Sequence, residues 1–138
     1  MRTKIRMAFI TVATAGLAVT AVAPALADPG SPTDATYGPG DLTRAELFAH
    51  ENFAGPRLTM KGTSNCTTAP TDIDTRWSDM RDHGWSDEVS AARDYHACDI
   101  KLFADINFGG ASTGPKHYGG GASVPNGWND RASSFQLT

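Results

Sequence analysis

The chain changes character twice before its main body begins. From Ala8 to Val22 it is apolar and free of charge. From Asp28 to Leu42 it carries Pro29, Gly30, Pro32, Gly38, Pro39 and Gly40 with almost no bulky apolar residue. After that the apolar positions come in short bursts. Leu47–Phe48 and Leu102–Phe103 are apolar pairs flanked by charge, each followed by Asn-Phe-x-Gly. Runs this short, bounded by turn residues, predict β-strands, with Gly55 and Gly110 at positive φ in tight turns. Val89–Tyr95 and Ala132–Leu137 also suit strands. Between them, 67–84 is polar, with Asp72, Asp74, Asp79 and Asp82 around Trp77 and Met80. Ile73, Trp77 and Met80 stand four and three apart, which allows one helical turn inside a long surface loop.

The bursts repeat. ELFAHENFAG (46–55) aligns with KLFADINFGG (101–110), 55 residues on, and GWSDEVSA (84–91) with GWNDRASS (127–134), 43 residues on. The order is A-B-A-B. The main body is therefore two copies of one unit, the first with the longer middle.

Arg2, Lys4 and Arg6 precede the apolar run, and Ala25-Leu26-Ala27 closes it with a small-x-small pattern. This predicts a secretory signal peptide over 1–27 rather than a membrane anchor, since the run is rich in Thr and Ala and ends at a cleavage pattern. The segment 28–44 reads as a flexible linker, because its composition buries too little to order itself. The segment 45–138 reads as one domain. Cleavage would leave nine Lys+Arg against fifteen Asp+Glu, a net charge of −6. With no basic cluster, nucleic acid and anionic membranes are poor partners, whereas cations or a basic protein suit the charge. Cys66 and Cys98 are the only cysteines. Export predicts a disulfide between them, which would restrict the unfolded chain by about 3–4 kcal/mol. A zinc site with His96 or His83 is the alternative, without the paired spacing of a structural site.

Two motifs carry a family resemblance. Phe48-Ala-His-Glu-Asn-Phe53-Ala-Gly55 and Phe103-Ala-Asp-Ile-Asn-Phe108-Gly-Gly110 show an aromatic, four residues, an aromatic, one residue and a glycine. Asn129-Asp130-Arg131-Ala132-Ser133-Ser134 shows two Asn/Asp, two variable residues, then two serines. The repeated unit resembles the βγ-crystallin Greek-key motif, in its microbial, calcium-binding form, over about 45–138. The resemblance implies an all-β fold, a small β-sandwich of two Greek-key motifs, with two calcium ions at paired loops. One ion would take the Asp130 carboxylate, the Arg131 carbonyl, the Ser90 hydroxyl and the Ala49 carbonyl. The other would take the Asp87 carboxylate, the Glu88 carbonyl, the Ser133 hydroxyl and the Ala104 carbonyl. Calcium accepts six to eight oxygens in flexible geometry, so such a set suits it. One full charge per site implies a dissociation constant of about 10⁻⁵ to 10⁻³ M.

The first copy departs from the pattern. In Ser86-Asp87-Glu88-Val89-Ser90-Ala91, the first position is Ser and the last is Ala. The last serine would brace the aromatic-glycine hairpin, so Ala91 leaves one hairpin without that bond, at about 0.5–1.5 kcal/mol. Alone, Asp130 and Ser133 would read as turn chemistry; the matching Asp87 and Ser90 favour calcium. Trp85, Trp128 and the four repeat phenylalanines read as packing. Gly119-Gly120-Gly121 lacks the Lys-Ser/Thr of a phosphate cradle, and no metalloprotease pair or nucleophile elbow is present. The expectation is a secreted, non-enzymatic calcium-binding module. A secreted protease inhibitor or antimicrobial toxin-like protein on the same scaffold, using the 66–85 loop, is the alternative.

Overall fold

The computed structural model describes residues 32–138. The expected signal peptide and the first residues of the expected linker lie outside that range. Eight strands form two sheets: β1 (Ala35–Tyr37), β2 (Leu42–His50), β3 (Ala54–Gly62), β4 (Thr75–Trp77), β5 (Ala91–Asp94), β6 (Ile100–Phe103), β7 (Ala122–Ser123) and β8 (Ser134–Leu137). One sheet runs β1-β3-β2-β5-β7 and the other β4-β8-β6. Bridges from Phe103 to Ser112 and from Ile100 to Lys116 carry the second sheet one irregular strand further. Among the described residues no helix is long and apolar enough to cross a membrane.

The sequence repeat explains this order. The first copy contributes β2 to β5; the second contributes β6, the 112–116 segment, β7 and β8. In each copy the third strand crosses to the other sheet. β4 pairs with β8, and β7 pairs with β5. Each sheet thus contains strands of both copies, the exchange expected when a Greek key packs against its twin. The two expected Greek keys are present.

β2 is the central strand of its sheet, held by β3 on one side and β5 on the other. Its alternation decides which side chains enter the core. Ala45, Leu47 and Ala49 face inward and join Leu58, Met60, Trp85, Val89, Ile100, Leu102, Phe135 and Leu137. Arg44, Glu46 and Phe48 are also buried, but by polar and stacking partners outside that cluster. The Arg44 guanidinium donates to the Ser64 carbonyl (2.9 Å), the Asp74 carbonyl (2.9 Å) and the Thr75 hydroxyl (2.7 Å). It therefore pins the polar 63–75 segment to the sheet, and each of those bonds is charge-assisted.

That middle segment is more ordered than a surface loop. Thr75–Trp77 is a strand, and Met80–His83 is a single 3₁₀ turn closed by Gly84 at φ 69°. Trp77 and Met80 are core residues, while Ile73 is 44% exposed. Their spacing reflects a strand followed by a turn, so the one-turn helix through Ile73 is not formed. Asp79 caps the turn through the Arg81 amide, and hydrogen bonding from the Arg81 side chain holds its carboxyl below the usual value.

The linker expected over 28–44 requires correction in its described part. Ala35–Tyr37 adds a parallel edge strand to β3, and Leu42 already begins β2. The segment has few apolar residues, yet it has anchors. The Tyr37 ring stacks on Trp77 at 4.8 Å. The Trp85 indole donates to the Thr33 carbonyl, and the Arg57 amide donates to Asp34. Composition cannot foresee order obtained by docking on an existing sheet edge. Cys66 and Cys98 are joined in a disulfide that ties the middle segment to the turn before β6, which leaves no cysteine for zinc.

Candidate metal centre

Two loops, 84–90 and 127–133, meet face to face and exchange bonds in matched pairs. The Asp87 amide donates to the Ala132 carbonyl (2.8 Å) and the Asp130 amide to the Val89 carbonyl (3.2 Å). The Ser90 amide donates to the Phe48 carbonyl and the Ser133 amide to the Phe103 carbonyl, both at 2.9 Å. The backbone repeats as the sequence does. Asp87 (φ 61°) and Asp130 (φ 53°) both adopt the left-handed conformation. So do Asn52, Phe53, Asn107 and Phe108 in the hairpins. Asp tolerates this region because its short side chain can bond locally, so the same residue type bends the loop and presents a carboxylate.

The first site gathers the expected side chains. The Ser90 hydroxyl, from the first copy, lies 2.9 Å from the Ala49 carbonyl and 3.2 Å from the Asp130 carboxylate. Ser90 is 4% exposed, so this hydroxyl is fixed. The other Asp130 oxygen accepts from the Asn129 amide at 2.6 Å. Carbonyl, hydroxyl and carboxylate oxygens thus converge from both copies on an open depression of about 430 Å³. Its walls are Ala49, His50, Glu51, Asp87, Glu88, Ser90, Asn129 and Asp130. Four acidic residues line it, where one carboxylate per site was expected.

Glu51 is the residue the sequence reading missed. Its signal was present: it is the third residue after Phe48, two beyond Ala49, and its counterpart in the second copy is Ile106. Arg131 follows Asp130 in the chain. Its guanidinium lies over Trp128, with the carbon 5.0 Å from the ring centre.

The second site is built differently. The Ser133 hydroxyl lies 3.5 Å from the Asp87 carboxylate and 2.9 Å from the Ser86 hydroxyl. Where Ser90 reaches Ala49, Ser133 reaches Ser86, the counterpart of Asn129 in the repeat. Ala104 follows β6 and donates its amide to the Ala111 carbonyl. The acid and the serine are brought together here, and at the position matching Glu51 the second hairpin carries Ile106. Glu88 lies with Asp130 at the first depression.

The donor set is a fit for a hard cation. It consists of oxygens only, includes carboxylates, and is partly fixed before any ion arrives. Phe48 against Phe53 and Phe103 against Phe108 hold the two hairpins in edge-to-face pairs at 5.4 and 5.6 Å.

No protein-family model and no curated protein sequence matches the chain. Solved structures do. The chain is similar to a structure bearing on the evolution of the eye-lens βγ-crystallin domain fold, at 19% identity and a TM-score of 0.54 over 79% of this chain and 90% of that one. It is also similar to the N-terminal domain of Protein S, at 13% identity and a TM-score of 0.50 over 69% and 94%. A double mutant of a βγ-crystallin domain from Clostridium beijerinckii gives 13% and 0.50 over 70% and 97%. With two exchanged Greek keys and the paired loops between them, the chain has the βγ-crystallin domain fold.

Proposed function

We propose that this protein is a non-enzymatic calcium-binding βγ-crystallin-fold domain whose ion stabilises the fold. The observation that carries the reading is the Ser90 hydroxyl, bonded at once to the Ala49 carbonyl of its own copy and to the Asp130 carboxylate of the other. An ion held by Asp130, Ser90 and the carbonyls of Ala49 and Arg131 would tie the two Greek keys together. The second ion would use Asp87, Ser133 and the carbonyls of Glu88 and Ala104. Export fits the same reading: the N-terminal pattern is that of a signal peptide, and the Cys66–Cys98 disulfide suits an oxidising compartment.

Thermal melts with millimolar calcium and with chelator, joined to calorimetric titration, test this. Calcium should raise Tm and give binding heat, and Asp130→Ala should remove the tighter site. A melt indifferent to calcium, with no heat, would refute it.

A further inference from the structure

Asp94 ends β5, four residues beyond Ser90 and so about 13 Å along the strand from the calcium loops. Its side chain is fully buried. The amides of Tyr118 and Gly119 donate to its two oxygens, the latter at 2.9 Å. Next to it, His117 Nδ1 lies 3.0 Å from Asp94 Oδ1 and 3.5 Å from Asp99 Oδ1. One donor atom from each of the three residues fits within 4.8 Å.

Each ligand is held from behind. Asp99 exchanges both backbone bonds with Thr138 (2.7 and 3.0 Å) and follows Cys98 of the disulfide. Lys116, beside His117, exchanges both backbone bonds with Ile100 (2.9 and 3.0 Å). Support of this kind orients metal ligands in advance.

The charge around Asp94 points to a cation. A buried carboxylate is costly without one. Among the described residues its only ion-pair partner is His117, which is positive only when protonated. A second observation stands beside it. Tyr118, the residue after His117 whose amide donates to Asp94, is 8% exposed, and its buried hydroxyl has no hydrogen-bond partner.

We infer that Asp94, Asp99 and His117 form a second, separate metal site for a divalent first-row transition ion of the zinc type, with water completing the coordination. One imidazole nitrogen and two carboxylate oxygens suit such an ion better than calcium, which takes oxygen ligands. His117 is 68% exposed on its side chain, so the ion has a direct path from solvent.

The test is zinc titration of the full folded chain, followed by calorimetry and by melting, with calcium titration in parallel. Cobalt(II) d–d absorption provides a spectroscopic readout of the coordination geometry, compared between the wild type and His117→Gln. Zinc should bind and raise Tm in the wild type and equally in Asp130→Ala. His117→Gln and Asp99→Asn, both at exposed or half-exposed positions, should weaken zinc by roughly 10–100-fold and leave the calcium response intact. Asp94→Asn is avoided because it alters a buried, amide-bound group. Unchanged zinc affinity in His117→Gln and Asp99→Asn would overturn the site, since zinc would then reside on other histidines. So would absence of zinc binding in the wild type, including the case where only a proton on His117 joins the two carboxylates.

Discussion

Ser134 shows how much one hydroxyl can organise. It donates to the Asp105 carbonyl at 2.6 Å and accepts from the Phe108 amide at 3.0 Å, closing the second hairpin across its strained Asn107–Phe108 corner. Ser134→Ala should therefore cost about 0.5–1.5 kcal/mol in a urea titration, because it removes both bonds from part-buried backbone groups. In the first copy Ala91 stands in that place, and the structure supplies a substitute. Arg93 lies over Phe53 (4.1 Å) and Phe48 (5.4 Å), a stack the second copy cannot repeat with Gln136. At the first depression, Glu51 adds charge that its counterpart Ile106 lacks. Glu51→Gln should weaken calcium a few-fold by calorimetry, the scale of an exposed charge. Tyr118 gives a pH signature. Burial, then the charge of Asp94, pushes its phenol up from 10.0 to about 12. The fold thus favours the neutral phenol. That contribution is complete below the unfolded pKa near 10 and is lost as pH rises from there through about 12. Phenolate absorbance should show a delayed tyrosine, with stability falling over the same interval.

At the scale of elements, β1 and the middle segment are held by few but specific contacts. Tyr37 stacks on Trp77, and Trp77 in turn meets Phe135 edge-on at 6.0 Å. If 35–37 were a linker, Tyr37→Ala would be silent. As a docked strand it should lower stability by about 1–2 kcal/mol, from lost stacking and partial burial. The disulfide joins residues 32 apart and secures the far end of the same segment. Its removal as a Cys66→Ala/Cys98→Ala pair should cost about 3–4 kcal/mol, read as a lower denaturation midpoint. Calcium binding should survive that change, because neither cysteine lines the Ser90–Asp130 depression.

For the molecule as a whole, the exchange of β4 and β7 makes each sheet depend on both copies. Neither copy presents a complete sheet alone. The paired 84–90 and 127–133 loops sit at the junction, so the proposed ion would favour only the assembled state. At a hundred times its dissociation constant, calcium should add about 2.7 kcal/mol per site, visible as a Tm that rises with ion concentration. The two sites are not equivalent: Asp130→Ala should remove more of this gain than Asp87→Ala.

The repeat made the two Greek keys and the Asp-x-x-Ser loops legible, because identical local patterns impose identical turns. Positive φ at Gly55, Gly110 and the paired aspartates follows from residues able to adopt it. The cysteine pair was legible for the same reason, as two residues with one partner each. The order of 35–37 and 75–77 was not legible, since edge pairing and a ring stack lie outside any local window. Nor was the convergence of Glu51, Asp87, Glu88 and Asp130 on one depression, which depends on how the hairpin of one copy meets the loops of both. The sequence by itself determined the unit, its duplication and the oxygens offered at each loop. Tertiary structure decided which oxygens share a site and how far the sites differ, because only strand exchange brings groups 40 to 46 residues apart within bonding distance.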